Sequence, residues 1–268
     1  MNEGVVRRTS YLVFGGLSYA AFLATILYAI GFVGNLWPVL GWRGPLFQTI
    51  DPGGDPTPLG LALLVDGLLL GLFAVQHSVM ARASFKRWSS RVIPPAVERS
   101  TFVLAASLCL AVLYWQWRPL ASTALWSWGA LAPAIVVASL LGWLIVVLST
   151  FMLDHFELFG LRQVWYAFRG RPTPGLGFAT PAFYKAVRHP IYLGFIIAFW
   201  ATPIMTLGHF LFAAGTTAYI LVAIQLEERD LVRRYGDEYR EYRRQVWMLL
   251  PLPRRALLAR QAAAARNV

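Results

Sequence analysis

The sequence predicts an all-α fold: a polytopic membrane helix bundle of about four spans, followed by a C-terminal two-helix hairpin and a cytoplasmic amphipathic tail helix. Three observations predict it. Of 268 residues, 57% are hydrophobic and only 14% charged, against about 25% charged in soluble domains. Apolar runs of the roughly 20 residues needed to cross a bilayer recur along the chain. The Lys and Arg residues gather in alternate connections between those runs.

The first run, residues 11–34, is too long for a signal-peptide core and has no convincing cleavage pattern, so it reads as a retained span. Residues 59–80, 101–117 and 131–153 supply the next three. A fifth apolar region, residues 190–226, exceeds one span. Pro203 and Gly208 interrupt it near the middle, which predicts a hairpin of two helices. The tail "EERDLVRRYGDEYREYRRQV" is helical in composition, with Leu231, Tyr235, Tyr239, Tyr242 and Val246 on one face. Gly236 followed by Asp237 marks a stop and a new start. Taken alone, such a stripe suits a helix lying on a membrane. The final "RQAAAARNV" is low-complexity and predicts a frayed end.

Charge sets the expected orientation. The N-terminus, the second and fourth connections and the tail hold 22 of the 24 Lys and Arg residues; the first and third connections hold only Arg43 and Arg118. The positive-inside bias places both termini in the cytoplasm, here of a bacterial inner membrane. The net charge of +11 is then a topology signal with some attraction for anionic lipid, and it calls for no nucleic acid. Cys109 stands alone in mid-span, which excludes a disulfide framework. The organisation expected is residues 1–153 as N-terminal spans and residues 154–268 as the catalytic region, since polar chemistry concentrates in the second part.

Ionisable groups inside apolar runs are costly and point to function. Asp66 and His77 both lie in the second run, eleven residues apart and so on one helix face, with Asp66 placed to pair with a neighbouring helix. Gly67 and Gly71 offer a close-packing motif beside them. At the end of the fourth span stands "DHFELFGLRQV", with Asp154, His155, Glu157, Arg162 and Gln163 together. The histidines at 77, 155, 189 and 209 share no short ligand spacing, so no metal site is expected. His209 falls in the hairpin turn and reads as interfacial. "KAVRHPIYLG" is the most telling stretch. Pro190 suits the first turn of a helix, which would set Arg188 and His189 beside free amide N–H groups and a positive dipole end, a natural place for an anionic group.

"RHPIYLG", then "EERDL", then "YGDEYREY" resembles the C-terminal signature of the membrane methyltransferases related to isoprenylcysteine carboxyl methyltransferase. Within that family, "DHFELFGLRQVW", "RPTPGLGFATPAFYKAVRHPIYLG" and "AFWATPIMTLGH" are most similar to the methanethiol S-methyltransferases, across nearly all of residues 154–251. The resemblance implies S-adenosylmethionine as methyl donor, in a cytoplasm-facing pocket between the last spans and the tail. It implies that Tyr184, His189, Pro190, Ile191 and Tyr192 surround that cofactor, that the backbone of Gly177, Phe178 and Ala179 approaches it, and that Glu227 binds one of its donor groups. It also implies a small volatile thiol as substrate.

The residue types suit that chemistry independently. Arg188 or His189 can meet a carboxylate, Glu227 can accept from an ammonium or a ribose, and Tyr184 and Tyr192 can face a sulfonium by cation–π attraction. Ala223 stands where the prenylcysteine enzymes carry an Arg implicated in substrate binding, which weighs against a prenylcysteine carboxylate. A thiol is largely protonated at neutral pH, so a base is useful; His155, His77 and Glu157 are the candidates. A carboxyl, amine or other thiol methyltransferase, a nicotinamide-dependent membrane reductase, and a non-enzymatic membrane protein are the competing expectations.

Overall fold

A computed structural model describes residues 3–44, 46–51, 57–120, 124–175 and 177–251; the "RQAAAARNV" end and the first connection around Asp55 lie outside them. The chain runs α1 (Glu3–Val33), α2 (Leu36–Val39), α3 (Leu59–Ala81), α4 (Ala83–Ser89), α5 (Pro95–Gln116), β1 (Ala124–Ser127), α6 (Ala132–Leu153), α7 (His155–Leu158), α8 (Leu161–Phe168), α9 (Pro190–Trp200), β2 (Ile204–Thr206), α10 (Leu207–Tyr235) and α11 (Asp237–Gln245). It is an all-α membrane bundle. Among the described residues, five helices are long and apolar enough to cross a membrane: Gly4–Val33, Leu59–Ala81, Pro95–Gln116, Gly129–Leu153 and Leu207–Tyr235.

Helix ends overrun the apolar runs that announced them. α5 starts at Pro95, not at residue 101, because Pro fits a first turn and Glu98 suits its positive end. The hairpin of residues 190–226 is present but lopsided: α9 has 11 residues and α10 has 29. At 1.5 Å per residue, α9 reaches only about half of a 30 Å hydrocarbon core. Beyond Pro203 the chain forms the short strand β2, which pairs antiparallel with β1, a ribbon that helical periodicity did not announce.

The apolar core sits at one end of the bundle, where Phe32, Leu113, Trp117, Trp143, Phe199 and Phe212 pack together. His209 belongs to this end, and it is fully buried, not interfacial. Its Nε2 donates to the Phe199 carbonyl at 2.9 Å, and its Nδ1 lies 3.5 Å from Asp51. Asp66 accepts from the Arg118 amide at 2.8 Å, tying α3 to the chain leaving α5. The opposite end, the charged end, gathers the buried polar and charged residues His155, Arg188, His189 and Glu228.

Gly67 and Gly71 do not pack a helix as expected; a Cβ on either would meet nothing within 4 Å. The close approach is between α6 and α9. A Cβ on Gly142 would lie 2.6 Å from the Ala198 nitrogen, and one on Gly194 would lie 2.7 Å from the Gly142 carbonyl oxygen. These contacts are with backbone, which cannot swing aside. Gly194→Val is therefore expected to lower stability by at least the ~1–3 kcal/mol of an overpacked site. Gly67→Val, facing open space, should leave thermal unfolding in detergent nearly unchanged. Equal effects of the two substitutions would contradict this packing.

Candidate active site

α9 begins where the tail returns. Pro181 leads into a short 3-10 turn at Ala182–Lys185, and the following proline keeps His189 out of the helical region (φ −127°, ψ 64°). Residues 246–248 then run alongside: Val187 bridges Trp247, the Arg188 amide donates to the Trp247 carbonyl at 2.8 Å, and the His189 amide donates to the Met248 carbonyl at 3.2 Å. The Arg188 and His189 amides are thus occupied by the tail. The physical reason is that buried backbone donors must be satisfied, and the tail is the partner at hand.

Arg188 is occupied too. Its Nε donates to Glu228 Oε1 at 2.7 Å, and its Nη1 donates to the carbonyls of Arg243 and Val246. Arg243 Nε reaches the other Glu228 oxygen at 3.0 Å, and His189 Nε2 reaches Oε1 at 3.1 Å. The Arg188 and Glu228 side chains are 5% and 3% exposed. A buried carboxylate persists only when paired and hydrogen-bonded, and three cationic or donor groups converge on this one. Together they clamp α11 and residues 246–248 against the start of α9.

Glu227, one residue earlier on α10, points elsewhere. Tyr192 donates its hydroxyl to Glu227 Oε2 at 3.0 Å, His189 Nδ1 stands 3.9 Å from the same oxygen, and the Glu227 side chain is 43% exposed. Two adjacent glutamates therefore divide their work: Glu228 is consumed inside the protein and Glu227 is presented. Around it lie phenols. Tyr184 donates to the Ser149 carbonyl at 3.4 Å and accepts the Tyr242 hydroxyl at its own carbonyl at 2.6 Å. Burial pushes the Tyr184 phenol up, with the Glu227 charge adding to it. Tyr239 is pushed up by burial and then by Glu228. Both stay protonated donors at neutral pH. The hydroxyls of Tyr239 and Ser149 are buried and have no hydrogen-bond partner among the described residues.

The tail stripe is an internal surface. Tyr239, Tyr242 and Val246 are buried and cluster with Phe178, Leu231, Val232 and Tyr235. Phe178 lies 5.3 Å from Tyr235 and 5.4 Å from Tyr242, ring centre to ring centre, while Gly177 and Ala179 on either side are exposed. The long connection and the tail are thereby pinned together beside Glu227. Pro190 is buried at the helix start and Ile191 is half-buried.

The three base candidates part company. His155 is buried; Thr150 Oγ1 sits 2.9 Å from its Nδ1 and Tyr19 OH 2.8 Å from its Nε2. Thr150 already donates its own proton to the Val147 carbonyl, so Nδ1 carries hydrogen and Nε2 accepts from Tyr19. Burial lowers the His155 pKa, with Asp154 acting against it. Its ring stacks on Phe151 at 4.2 Å. Glu157 lies 3.4 Å from Arg162, which also pairs with Asp154. His77 has a buried Nδ1 with no partner among the described residues.

His77 does not stand alone. Phe73, Phe102 and Tyr219 surround its ring, from α3, α5 and α10. Ser78 donates to the Tyr219 hydroxyl at 3.3 Å, and Arg82 bridges to Asp230 at 2.8 Å, holding α3 against α10. Arg99 donates to the Leu158 carbonyl at 2.6 Å. Sequence reasoning missed Glu228, Arg99, Tyr219 and Ser149. The pair "EE" was the only signal for Glu228; an Arg beside the start of an apolar run was the signal for Arg99.

A family described as protein of unknown function, DUF1295, matches residues 104–246. The methanethiol S-methyltransferase of Mycobacterium tuberculosis is 52% identical over 252 residues, covering 93% of this chain and 99% of the relative. Methanethiol S-methyltransferase 2 of Bradyrhizobium diazoefficiens is 53% identical over 245 residues, 91% of each chain. Nurim of Mus musculus is 31% identical over 181 residues, 63% of this chain and 68% of the relative. No solved structure matches. Half of all positions identical over nearly the full length leaves one conclusion: the chain belongs to the methanethiol S-methyltransferase family.

Proposed function

We propose that the protein is an integral-membrane, S-adenosylmethionine-dependent methyltransferase that methylates the thiol of methanethiol, giving dimethyl sulfide. One observation carries the reading: Glu227, braced by Tyr192 and half-open at the charged end, in a chain about half identical to enzymes of that name. S-adenosylmethionine would supply an electrophilic methyl group on a sulfonium.

The residues present fit such a group. Glu227 offers an acceptor to its ammonium or ribose, His189 flanks it, and Tyr184 and Tyr192 are aromatic faces suited to a sulfonium. The unpartnered hydroxyls of Ser149 and Tyr239 await polar partners nearby. Gly177, Phe178 and Ala179 close one side, with Phe178 as the anchor, and Pro190 and Ile191 form the helix start beneath. Arg188 serves this site by holding the tail, through Glu228, and so takes the bracing role in place of the carboxylate contact. Residues 154–268 would thus carry the donor site, completed by α3 and α5 from residues 1–153.

For the proton, His77 is the residue we assign. Of the three candidates, His155 has both nitrogens engaged and Glu157 lies against the Arg162 guanidinium, whereas His77 Nδ1 is buried without a partner among the described residues. Free Cys has a pKa of about 8.5, so an alkyl thiol at neutral pH needs its proton removed.

Equilibrium dialysis of the purified protein tests the donor class. Retention of S-adenosylmethionine and not of NADPH is expected, with Glu227→Ala weakening it about tenfold or more, as loss of a charge-assisted bond of roughly 1.5–3 kcal/mol implies. Retention of NADPH alone would favour a reductase. The charge distribution supports both termini in the cytoplasm, since 22 of 24 Lys and Arg residues lie in the N-terminus, the second and fourth connections and the tail, and the membrane is taken as a bacterial inner membrane. Reporter fusions within residues 89–95 should read inside and fusions beside Arg43 outside; the reverse would put the pocket on the wrong face.

A further inference from the structure

The surroundings of His77 are more selective than a proton acceptor requires. Ring centres of Phe102, Phe73 and Tyr219 lie 4.8, 5.3 and 6.5 Å from the imidazole, and Phe73 and Tyr219 are 6.0 Å apart. Each wall is braced from behind. Arg99 sits over the Phe102 ring at 5.0 Å, Ser78 holds the Tyr219 hydroxyl, and the Arg82–Asp230 pair fixes α3 against α10. Inside this aromatic enclosure His77 Nδ1 is buried and has no hydrogen-bond partner among the described residues.

A buried ring nitrogen left unsatisfied is expensive; in the tautomer with hydrogen on Nε2, Nδ1 is an acceptor, and its partner is then a ligand that enters. The faces turned to His77 are mostly π surface, with the Tyr219 hydroxyl accepting from Ser78, so the enclosure favours a small neutral molecule over a strongly hydrated anion. Three rings within 4.8–6.5 Å of one imidazole, centre to centre, confine the space beside it and disfavour a long chain. A small neutral molecule with a single donor hydrogen on a polarisable atom fits: sulfur rests favourably against aromatic rings. Tyr219 stands eight residues before Glu227 on α10, so the helix that carries this wall also carries the carboxylate that Tyr192 braces.

We propose that Phe73, Phe102 and Tyr219 form the acceptor subsite, which sets an upper size limit on the alkanethiol. The inference rests on the methyltransferase reading above and adds to it the residues that choose the substrate. In the step assigned to this subsite the S–H bond breaks, its electron pair stays on sulfur, and the proton moves to His77 Nδ1, to be released later to solvent.

The test pairs Phe102→Ala and the milder Phe102→Leu with wild type, using methanethiol, ethanethiol and 1-propanethiol. Donor affinity is measured by dialysis, thiol binding without donor by saturation-transfer NMR, and methylated products in the headspace. The expected result is wild-type preference for methanethiol, with the propanethiol-to-methanethiol ratio of kcat/KM rising at least tenfold in Phe102→Ala and less in Phe102→Leu. Propanethiol should give a transfer signal in the alanine variant and none in wild type. Donor affinity should stay within about twofold. Ratios and transfer signals equal to wild type in both variants, with donor affinity kept, would overturn the subsite while leaving the methyltransferase reading in place. Wild-type protein that binds no donor and methylates no thiol would overturn that reading and this one with it.

Discussion

Glu228→Ala is expected to destabilise the protein by about 3–5 kcal/mol, the usual result of removing one member of a buried ion pair. The loss exceeds that of a surface pair because Arg188 is left charged, 5% exposed and facing only carbonyls. His189 and Arg243 lose the same partner. Thermal unfolding in detergent should show a large drop. Limited proteolysis should cut near Gly236 (φ 59°), where α10 gives way to α11 once the clamp no longer holds α11. Glu227→Ala, one residue away, should keep wild-type stability and lose donor binding. If both variants are equally stable, the division of labour between the two glutamates is wrong.

His77→Gln should lower turnover at pH 7 by about 10²–10⁴-fold, the range for a general base, with donor affinity intact. Activity should recover as pH rises toward the thiol's own pKa, because thiolate then forms without help. A merely structural His77 would lose activity without that recovery. His155→Gln offers the contrast. Its ring is held by Tyr19 and Thr150 and stacked on Phe151, so its loss should lower stability and not reshape the pH profile.

The fold was largely legible because bilayer burial writes itself as length and hydropathy. Pro203 and Gly208 divided the last apolar region correctly, and Gly236 with Asp237 marked the break between α10 and α11. The β1–β2 ribbon was not legible, since strands of four and three residues carry too little periodicity. Gly67 and Gly71 misled while Gly142 and Gly194 carried the close contact; which glycines face a neighbour depends on helix rotation, which a sequence motif does not encode.

At the site, the motif placed Tyr192, His189 and Glu227 together, and the geometry brings them together. What the sequence could not say was how the charges pair. Arg188 looked available for a ligand because its partner, Glu228, lies 40 residues on, and the backbone carbonyls that complete its shell come from α11 and the segment after it. The tail stripe looked like a membrane face because its true partner, Phe178, sits on a loop with no periodicity. His77, His155 and Glu157 were indistinguishable by residue type; only the partners of their side-chain atoms separate them.

The most direct measurement uses the purified wild-type protein, S-adenosylmethionine deuterated in its methyl group, and methanethiol, with headspace mass spectrometry as the readout. The account predicts dimethyl sulfide carrying one deuterated methyl, produced in proportion to donor consumed and abolished in Glu227→Ala. Folded protein that retains the donor yet yields no labelled dimethyl sulfide would contradict it.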